Sequence, residues 1–211
     1  MLKVLKFGGS SLADSAQFAK VKDIVRSDSA RELVVVSAPG KIDSDDNKVT
    51  DLLYLVHAHI RYGVAYDGIL SMIKKKYADI RNGCGLKTDI EALIDDTFAS
   101  VDKKTSVDFI VSRGEFFNAI LMAEYLGYTF VDAVDWLNFE FSGKINAEKS
   151  EKKLRELSYM GASVLHEDTV FPVRRKDIPV NIRNTNRPDD PGTIIRENFD
   201  EVLEEEKSER F

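Results

Sequence analysis

The sequence predicts an α/β domain built on a parallel sheet, and three observations carry that prediction. Lys3-Val4-Leu5-Lys6-Phe7 reads as a short strand that runs straight into Gly8-Gly9-Ser10-Ser11. Phe18, Val21, Ile24 and Val25 then recur at helical spacing over roughly residues 14–27. Leu33-Val34-Val35-Val36 follows as four consecutive apolar residues, three of them β-branched, which suits a strand covered on both faces. Strand, helix and strand in that order imply right-handed crossovers.

The totals narrow the function classes. At 211 residues the chain suits one large domain, or at most two, with room for a sizeable core. Hydrophobic residues make up 43% and charged residues 31%, an ordinary balance for a globular protein. A net charge of −6 argues against nucleic acid or an anionic membrane surface as the main partner. No apolar run approaches the length of a bilayer span, and Lys3 and Lys6 interrupt any signal-peptide core. Cys84 is the only cysteine, which excludes an internal disulfide framework and fits a reducing, cytoplasmic setting. With no base near it in sequence, it reads as an inert thiol.

The first turn has the layout of a phosphate-binding loop. Glycines permit positive φ and leave backbone N–H groups open to an anion, a following helix start adds partial positive charge, and Lys6 adds a full charge. On this stretch alone a phosphate nest and an ordinary tight corner fit equally well. Asp14 and Gln17 are spaced as a capping pair for the helix that follows. Ser37-Ala38-Pro39-Gly40-Lys41 ends the second strand in turn residues. Ligands of open α/β sheets gather at such carboxyl ends, which makes Ser37 a candidate site residue.

A charged loop over residues 42–48 leads to Val49-Thr50-Asp51 and a helical face of Leu52, Leu53, Leu55, Val56 and Ile60. Thr50 is placed to cap that helix and to point its hydroxyl toward the sheet edge. His57 and His59, two apart, fall on different helical faces and read as solvated. Residues 65–81 and 88–100 give two more helices, the second opened by a capping box at Thr88-Asp89-Ile90-Glu91, with Asn82-Gly83-Cys84-Gly85 as a breaker between them. Val107 to Val111 fits a strand or a helix start. Ser112-Arg113-Gly114-Glu115 then leads into a long apolar helix through Leu126. Glu115 is either an exposed helix-start residue or the holder of a cationic group such as a substrate amine, because an unpaired carboxylate on an apolar element is costly.

Further on, Tyr128 to Ala133 reads as a strand and Trp136 to Phe141 as an alternating segment closed by the turn Ser142-Gly143-Lys144. Glu148 to Arg155 is charged with helical pair spacing, and a further helical pattern runs from Leu154 to Leu165. Val170 to Val173 continues toward a strand at Ile178 to Ile182; a polar loop with two prolines, ended by Gly192, and a short strand at Ile194-Ile195 follow. Glu201 to Phe211 reads as a charged tail. There is no internal repeat.

Three groups of residues resemble the aspartate kinases of the amino-acid kinase superfamily. The first is Lys6-Phe7-Gly8-Gly9-Ser10-Ser11. The second joins Val35-Val36-Ser37-Ala38 with Lys48-Val49-Thr50-Asp51-Leu52-Leu53 and Ser112-Arg113-Gly114-Glu115. The third runs from Leu154-Arg155-Glu156-Leu157-Ser158-Tyr159-Met160-Gly161-Ala162 through Val164-Leu165-His166-Glu167 to Pro179-Val180-Asn181-Ile182-Arg183-Asn184-Thr185-Asn186 and Pro191-Gly192-Thr193. The resemblance covers nearly the whole chain and implies a three-layer α/β/α sandwich. It implies transfer of the γ-phosphoryl of ATP, with Mg2+ held through the phosphates, to the side-chain carboxylate of L-aspartate. The product would be 4-phospho-L-aspartate, a step of lysine, threonine and methionine biosynthesis in the cytoplasm. Carried over by position, Lys6 is the lysine that neutralises the transferring group, Gly8 and Gly9 present N–H groups and Ser10 a hydroxyl to phosphate. Ser37 and Thr50 lie around the bound aspartate, and Glu115 receives its amino group. The resemblance implies no metal ligands on the protein itself.

The departure from the family lies between residues 142 and 154. There the family carries a long block with a glycine-rich Arg-Gly-Gly-Ser-Asp stretch and a Thr-Asp strand and loop that hold adenine and ribose; here a few charged residues stand instead. The ACT domains expected after Thr193 are replaced by the acidic tail. The expected organisation is therefore an incomplete amino-acid kinase domain over residues 1–196 and a tail over 197–211. Half the phosphate clamp and most of the nucleoside pocket would be missing, so turnover by this chain alone would be slow or nil. Exposed sheet edges would favour homo-oligomers or other association. A non-catalytic relative, acting as an aspartate-binding or subunit-interaction module, is the alternative; beneath both stands a shortened product with no selected function.

Overall fold

The computed structural model describes residues 3–146, 148–150 and 178–195. The chain forms two units, Met1–Val164 and Leu165–Phe211, each treated by itself below.

The first unit starts with β1 (Val4–Phe7), α1 (Ser15–Arg26) and β2 (Leu33–Val36). The two strands pair in parallel, from Val4 opposite Leu33 to Phe7 opposite Val36, as the strand, helix, strand order predicts. A short 3-10 turn, Gly9–Leu12, joins β1 to α1 and drops Leu12 into the core. The predicted cap is present: the Asp14 carboxylate accepts from the Gln17 N–H at 2.8 Å. Phe18, Val21 and Val25 form the buried face of α1.

Four helices follow, α2 (Val49–Tyr62), α3 (Asp67–Cys84), α4 (Ile90–Ala99) and α5 (Val107–Leu126). They share one core with β1, β2 and α1, in which Phe18, Leu53, Ile73, Tyr77, Ile94, Phe117 and Leu121 are almost wholly shielded. α5 is the central member and packs against α1, α2, α3 and β2. That position explains why it is apolar around much of its circumference, as a helix covered on several sides must be. Gly127 ends it in the left-handed region at φ 71°, and its N–H returns to the last turn.

Several expectations are decided or corrected here. The stretch Val107 to Val111 is helix rather than strand, because Ser106 caps it by accepting from the Phe109 N–H at 3.2 Å. Glu115 is consequently mid-helix, not at a helix start. The α4 cap is Asp89, which accepts from Ala92, while the Thr88 hydroxyl donates to Glu124 at 2.6 Å. α3 runs through Asn82 and Gly83 to Cys84 before Gly85 stops it at φ 67°. His59 is not simply solvated, since its Nδ1 donates to the Ala65 carbonyl at 2.7 Å. Tyr128 to Ala133 forms no continuous strand, only a single bridge residue at Thr129: Phe130 packs edge-on against Phe116 of α5, Val131 is buried, and a 3-10 turn at Ala133–Asp135 follows. The next segment is a minimal hairpin with Phe139 opposite Ile145 and Gly143 in the turn, leaving Phe139 and Phe141 exposed. The helical readings over residues 151–165, and the segment at Val170 to Val173, lie outside the described residues.

In the second unit β3 (Val180–Ile182) and β4 (Thr193–Ile195) form an antiparallel hairpin, with Asn181 opposite Ile194. Both strands were expected from the sequence. Among the described residues no helix is long and apolar enough to cross a membrane.

Gly114 lets α5 approach the end of β2 closely. A Cβ placed on it would stand 2.8 Å from the Ala38 Cβ and 3.1 Å from a Leu53 methyl. Helix propensity alone would make Gly114→Ala stabilising by about 1 kcal/mol. Overpacking costs about 1–3 kcal/mol, and it wins here because both neighbours are themselves in the core. Urea unfolding of Gly114→Ala should show a net loss of stability; a gain would mean that α5 and the β2 end are not in this contact.

Candidate active site

The site is assembled where β1 and β2 end side by side. Alternation along β1 buries Phe7 and leaves Lys6 exposed, opposite Val35. Lys6 makes no ion pair among the described residues, so its charge is not neutralised there. Gly8 follows with φ −77° and ψ 166°, in open space: a Cβ on it would meet nothing within 4 Å. Ser10 is also exposed. In the Gly9–Leu12 turn the Ser11 N–H already donates to the Gly8 carbonyl at 3.0 Å, which leaves the Gly9 and Ser10 N–H groups as the ones that open the turn.

The glycines do not adopt the positive φ expected of them. Gly8 is extended, and neither Gly9 nor Gly40 has positive φ. What they provide is contact between two backbones. The Gly40 N–H donates to the Gly9 carbonyl at 2.8 Å, and a Cβ on Gly40 would lie 2.6 Å from the Gly9 carbonyl carbon. A Cβ on Gly9 would lie 2.8 Å from the Ala38 oxygen. The turn after β1 and the turn after β2 are thus pressed together with no room for a side chain. The helix expected to supply positive potential is only this short turn, and the α1 N-terminus beyond it is already capped by Asp14.

The second wall comes from β2 and α5. The Ser37 N–H donates to the Phe7 carbonyl at 3.1 Å, extending the pairing one step past the strand. The Ala38 N–H donates to Glu115 Oε1 at 3.2 Å, and the Ser37 carbonyl accepts from Asn118 Nδ2 at 2.7 Å. Ser37 and Glu115, 78 residues apart in sequence, therefore adjoin. The Val49 N–H donates to the Pro39 carbonyl at 3.2 Å and carries the chain into α2. Thr50 lies inside the first turn of α2 and does not cap it; Lys48 occupies the cap position without a side-chain bond.

Three residues in this region were not singled out from the sequence. Gly40 completes the contact with Gly9. Asn118 is fully buried, with its Oδ1 unpartnered among the described residues. Tyr77, also fully buried, donates its hydroxyl to the Gly114 carbonyl at 2.6 Å. Burial, reinforced by the charge of Glu115, raises the Tyr77 pKa well above its usual value and keeps it a neutral donor. The signal for Asn118 was available: a polar residue on an apolar helix, three after Glu115, needs a partner.

The loop from Lys41 to Asn47 is tied back to α3. Lys76, with 9% of its side chain exposed, pairs with Asp46 and donates to the Asn47 carbonyl at 2.9 Å. Burial opposes ionisation of Asp46, but hydrogen bonds from Lys76 and from the Ile42 and Asn47 N–H groups prevail and hold its pKa below the usual value. Cys84, half-buried against Lys22 and Asp14, is pushed up to about 11 by burial, in keeping with an inert thiol. Among the described residues no group of three or more His, Cys, Asp or Glu side chains could hold a metal ion.

Comparison with known proteins places this geometry. The sequence is 30% identical to aspartokinase 3 of Bacillus subtilis, over 92% of this chain and 63% of that protein. It is 25% identical to a chloroplastic bifunctional aspartokinase/homoserine dehydrogenase of Arabidopsis thaliana, over 94% of this chain and 33% of that protein. The chain therefore spans less than two thirds of the curated relatives it matches. The alignment with the Bacillus protein runs over 288 positions against 211 residues here, so at least 77 of its positions face no residue of this chain. Among solved structures, the aspartate kinase of Clostridium acetobutylicum superposes with a TM-score of 0.87 at 30% identity, over 93% of this chain and 63% of that one. Escherichia coli aspartokinase III in complex with aspartate and ADP gives 0.61 at 23% identity, over 78% of this chain and 40% of that one, a likeness of fold alone. The fold is accordingly the α/β fold of the amino-acid kinase type. Since the sequence pattern described as "Amino acid kinase family" matches residues 1–152, this chain belongs to the amino acid kinase family.

Proposed function

We propose that the chain is aspartate kinase-like: its strand-end crevice is built to receive L-aspartate and a transferring phosphoryl group. The reaction is ATP-dependent phosphorylation of the side-chain carboxylate, giving 4-phospho-L-aspartate, in the cytoplasm. The observation that supports this reading is the close contact of Gly9 with Gly40, which joins the turn after Lys6 and Gly8 to the turn after Ser37, where Glu115 accepts from the Ala38 N–H.

The chemistry asks little of a base. A carboxylate is already ionised and nucleophilic at neutral pH. The difficulty is that an anionic acceptor must meet an anionic donor, so catalysis rests on positioning and charge neutralisation. Lys6 supplies the charge, and Gly8, Gly9 and Ser10 supply N–H and hydroxyl donors to phosphate oxygens. Ser37 and Thr50 border the acceptor, and Glu115 takes its ammonium group. The open surface at Gly8 and the unneutralised Lys6 fit a phosphate; Mg2+ would be carried by the nucleotide, which supplies the phosphoryl group.

Only one side of that arrangement is encoded. At least 77 positions of the Bacillus relative have no counterpart here, and the Arg-Gly-Gly-Ser-Asp stretch that the family resemblance calls for is absent from the sequence. Removing one preorganised donor costs about 3 kcal/mol of transition-state stabilisation, and several are missing together. Turnover by this chain alone is then slow or nil. The same absence favours a second reading, a non-catalytic relative that binds aspartate or docks on a partner subunit, including a second copy of this chain.

Separate titrations with L-aspartate and with Mg-ATP, followed by thermal shift, test the reading. L-Aspartate at ten times its dissociation constant should stabilise the chain by about 1.4 kcal/mol, a rise in Tm of about 4 °C. Mg-ATP at equal concentration should give a much smaller shift. Tight Mg-ATP binding by the monomer would defeat the claim that the nucleotide side is missing, and no response to aspartate would defeat the claim that the acceptor side is present. Any aspartate-dependent phosphoryl transfer that the wild type retains should fall by at least about 10²-fold in Lys6→Ala. Transfer that survives would mean that Lys6 is not the neutralising charge.

A further inference from the structure

A single peptide group at the end of β2 is held from both sides by one helix. The Ser37 carbonyl and the Ala38 N–H belong to the same peptide bond. Asn118 Nδ2 donates to the carbonyl at 2.7 Å, and Glu115 Oε1 accepts from the N–H at 3.2 Å. Residues 115 and 118 are three apart on α5 and share a face. In a trans peptide the C=O and N–H point in opposite directions, so the two side chains oppose a flip of the peptide plane. The strand ladder has ended at this point, and its polar groups need partners from elsewhere.

The surroundings support a built grip rather than a chance contact. Asn118 is fully buried, and the orientation of its amide is fixed because only the NH2 can donate to a carbonyl. The α5 backbone lies against the same peptide at Gly114, where a Cβ would be 2.8 Å from that of Ala38. Tyr77 of α3 holds the same turn of α5 through the Gly114 carbonyl at 2.6 Å.

We propose that Asn118 and Glu115 form a clamp on the Ser37–Ala38 peptide that fixes the direction of the Ser37 side chain and divides Glu115 between two tasks. Oε1 holds the Ala38 N–H, and Oε2 is the oxygen offered to the ammonium group of the acceptor. Asn118 is therefore a positioning residue: it acts on the acceptor only through Ser37 and Ala38. The second task rests on the reading of Glu115 given above, whereas the grip on the peptide does not.

Amide hydrogen exchange on the full chain, read residue by residue alongside L-aspartate affinity, tests the clamp. In the wild type the Ala38 amide should be protected. Asn118→Leu keeps the branched shape and removes the donor; it should speed Ala38 exchange by about tenfold while Val35 and Leu121 stay protected, and weaken aspartate by about tenfold. Glu115→Gln keeps an acceptor oxygen, so Ala38 protection should persist while aspartate affinity falls. Ala38 exchanging as fast as an open loop in the wild type would overturn the clamp, a result that stands even if Asn118→Leu does not fold. Loss of aspartate affinity in Asn118→Leu without faster Ala38 exchange, or the reverse, would overturn its positioning role. A wild type that shows no aspartate binding overturns the functional reading and the task given to Oε2, while Ala38 exchange still decides the grip on the peptide.

Discussion

Two backbones touch at Gly9 and Gly40, and the candidate site depends on that contact. Parallel pairing brings β1 and β2 alongside each other, but it does not determine how their loops leave the sheet. The bond from the Gly40 N–H to the Gly9 carbonyl does so, at a separation that excludes a side chain on either residue. Lys6 lies just before the contact on one chain segment and Ser37 just before it on the other. Any Cβ would part the two turns, and with them the segments that carry Lys6 and Ser37. α5 then fastens the β2 side through Asn118 and Glu115, and α2 begins from the Pro39 carbonyl.

The parts legible in the sequence are those determined locally. β1, α1 and β2 follow from apolar runs and helical spacing, and the Asp14 cap from a spacing of three. Where local pattern was ambiguous, a tertiary or capping contact decided: Ser106 made Val107 to Val111 a helix start, and Phe130 and Val131 packed onto α5 or into the core instead of forming a strand. The glycines were found for a partly mistaken reason. Their spacing suggested positive φ, whereas the structure uses their lack of a side chain. That Asn118 needs a partner is legible from a polar residue on an apolar helix, but the identity of that partner, 81 residues away, is not.

Family membership and catalytic completeness are separate matters in this chain. The wall at the end of β2 contains a fully buried asparagine, and the turns after β1 and β2 meet at a glycine contact. The chain spans 63% of the Bacillus relative, and the opposing wall that would close over phosphates and nucleoside is proposed above to lie in the part without a counterpart here. Lys6 is exposed and stands without an ion-pair partner among the described residues.

The central claim is that the crevice at the ends of β1 and β2 holds the acceptor. Backbone amide chemical-shift mapping on the full chain with added L-aspartate tests it most directly. The account predicts saturable shifts centred on Ser37, Ala38, Thr50 and Glu115, with α4 unaffected. Shifts centred on α4 or on the hairpin of β3 and β4, with the strand ends silent, would contradict it.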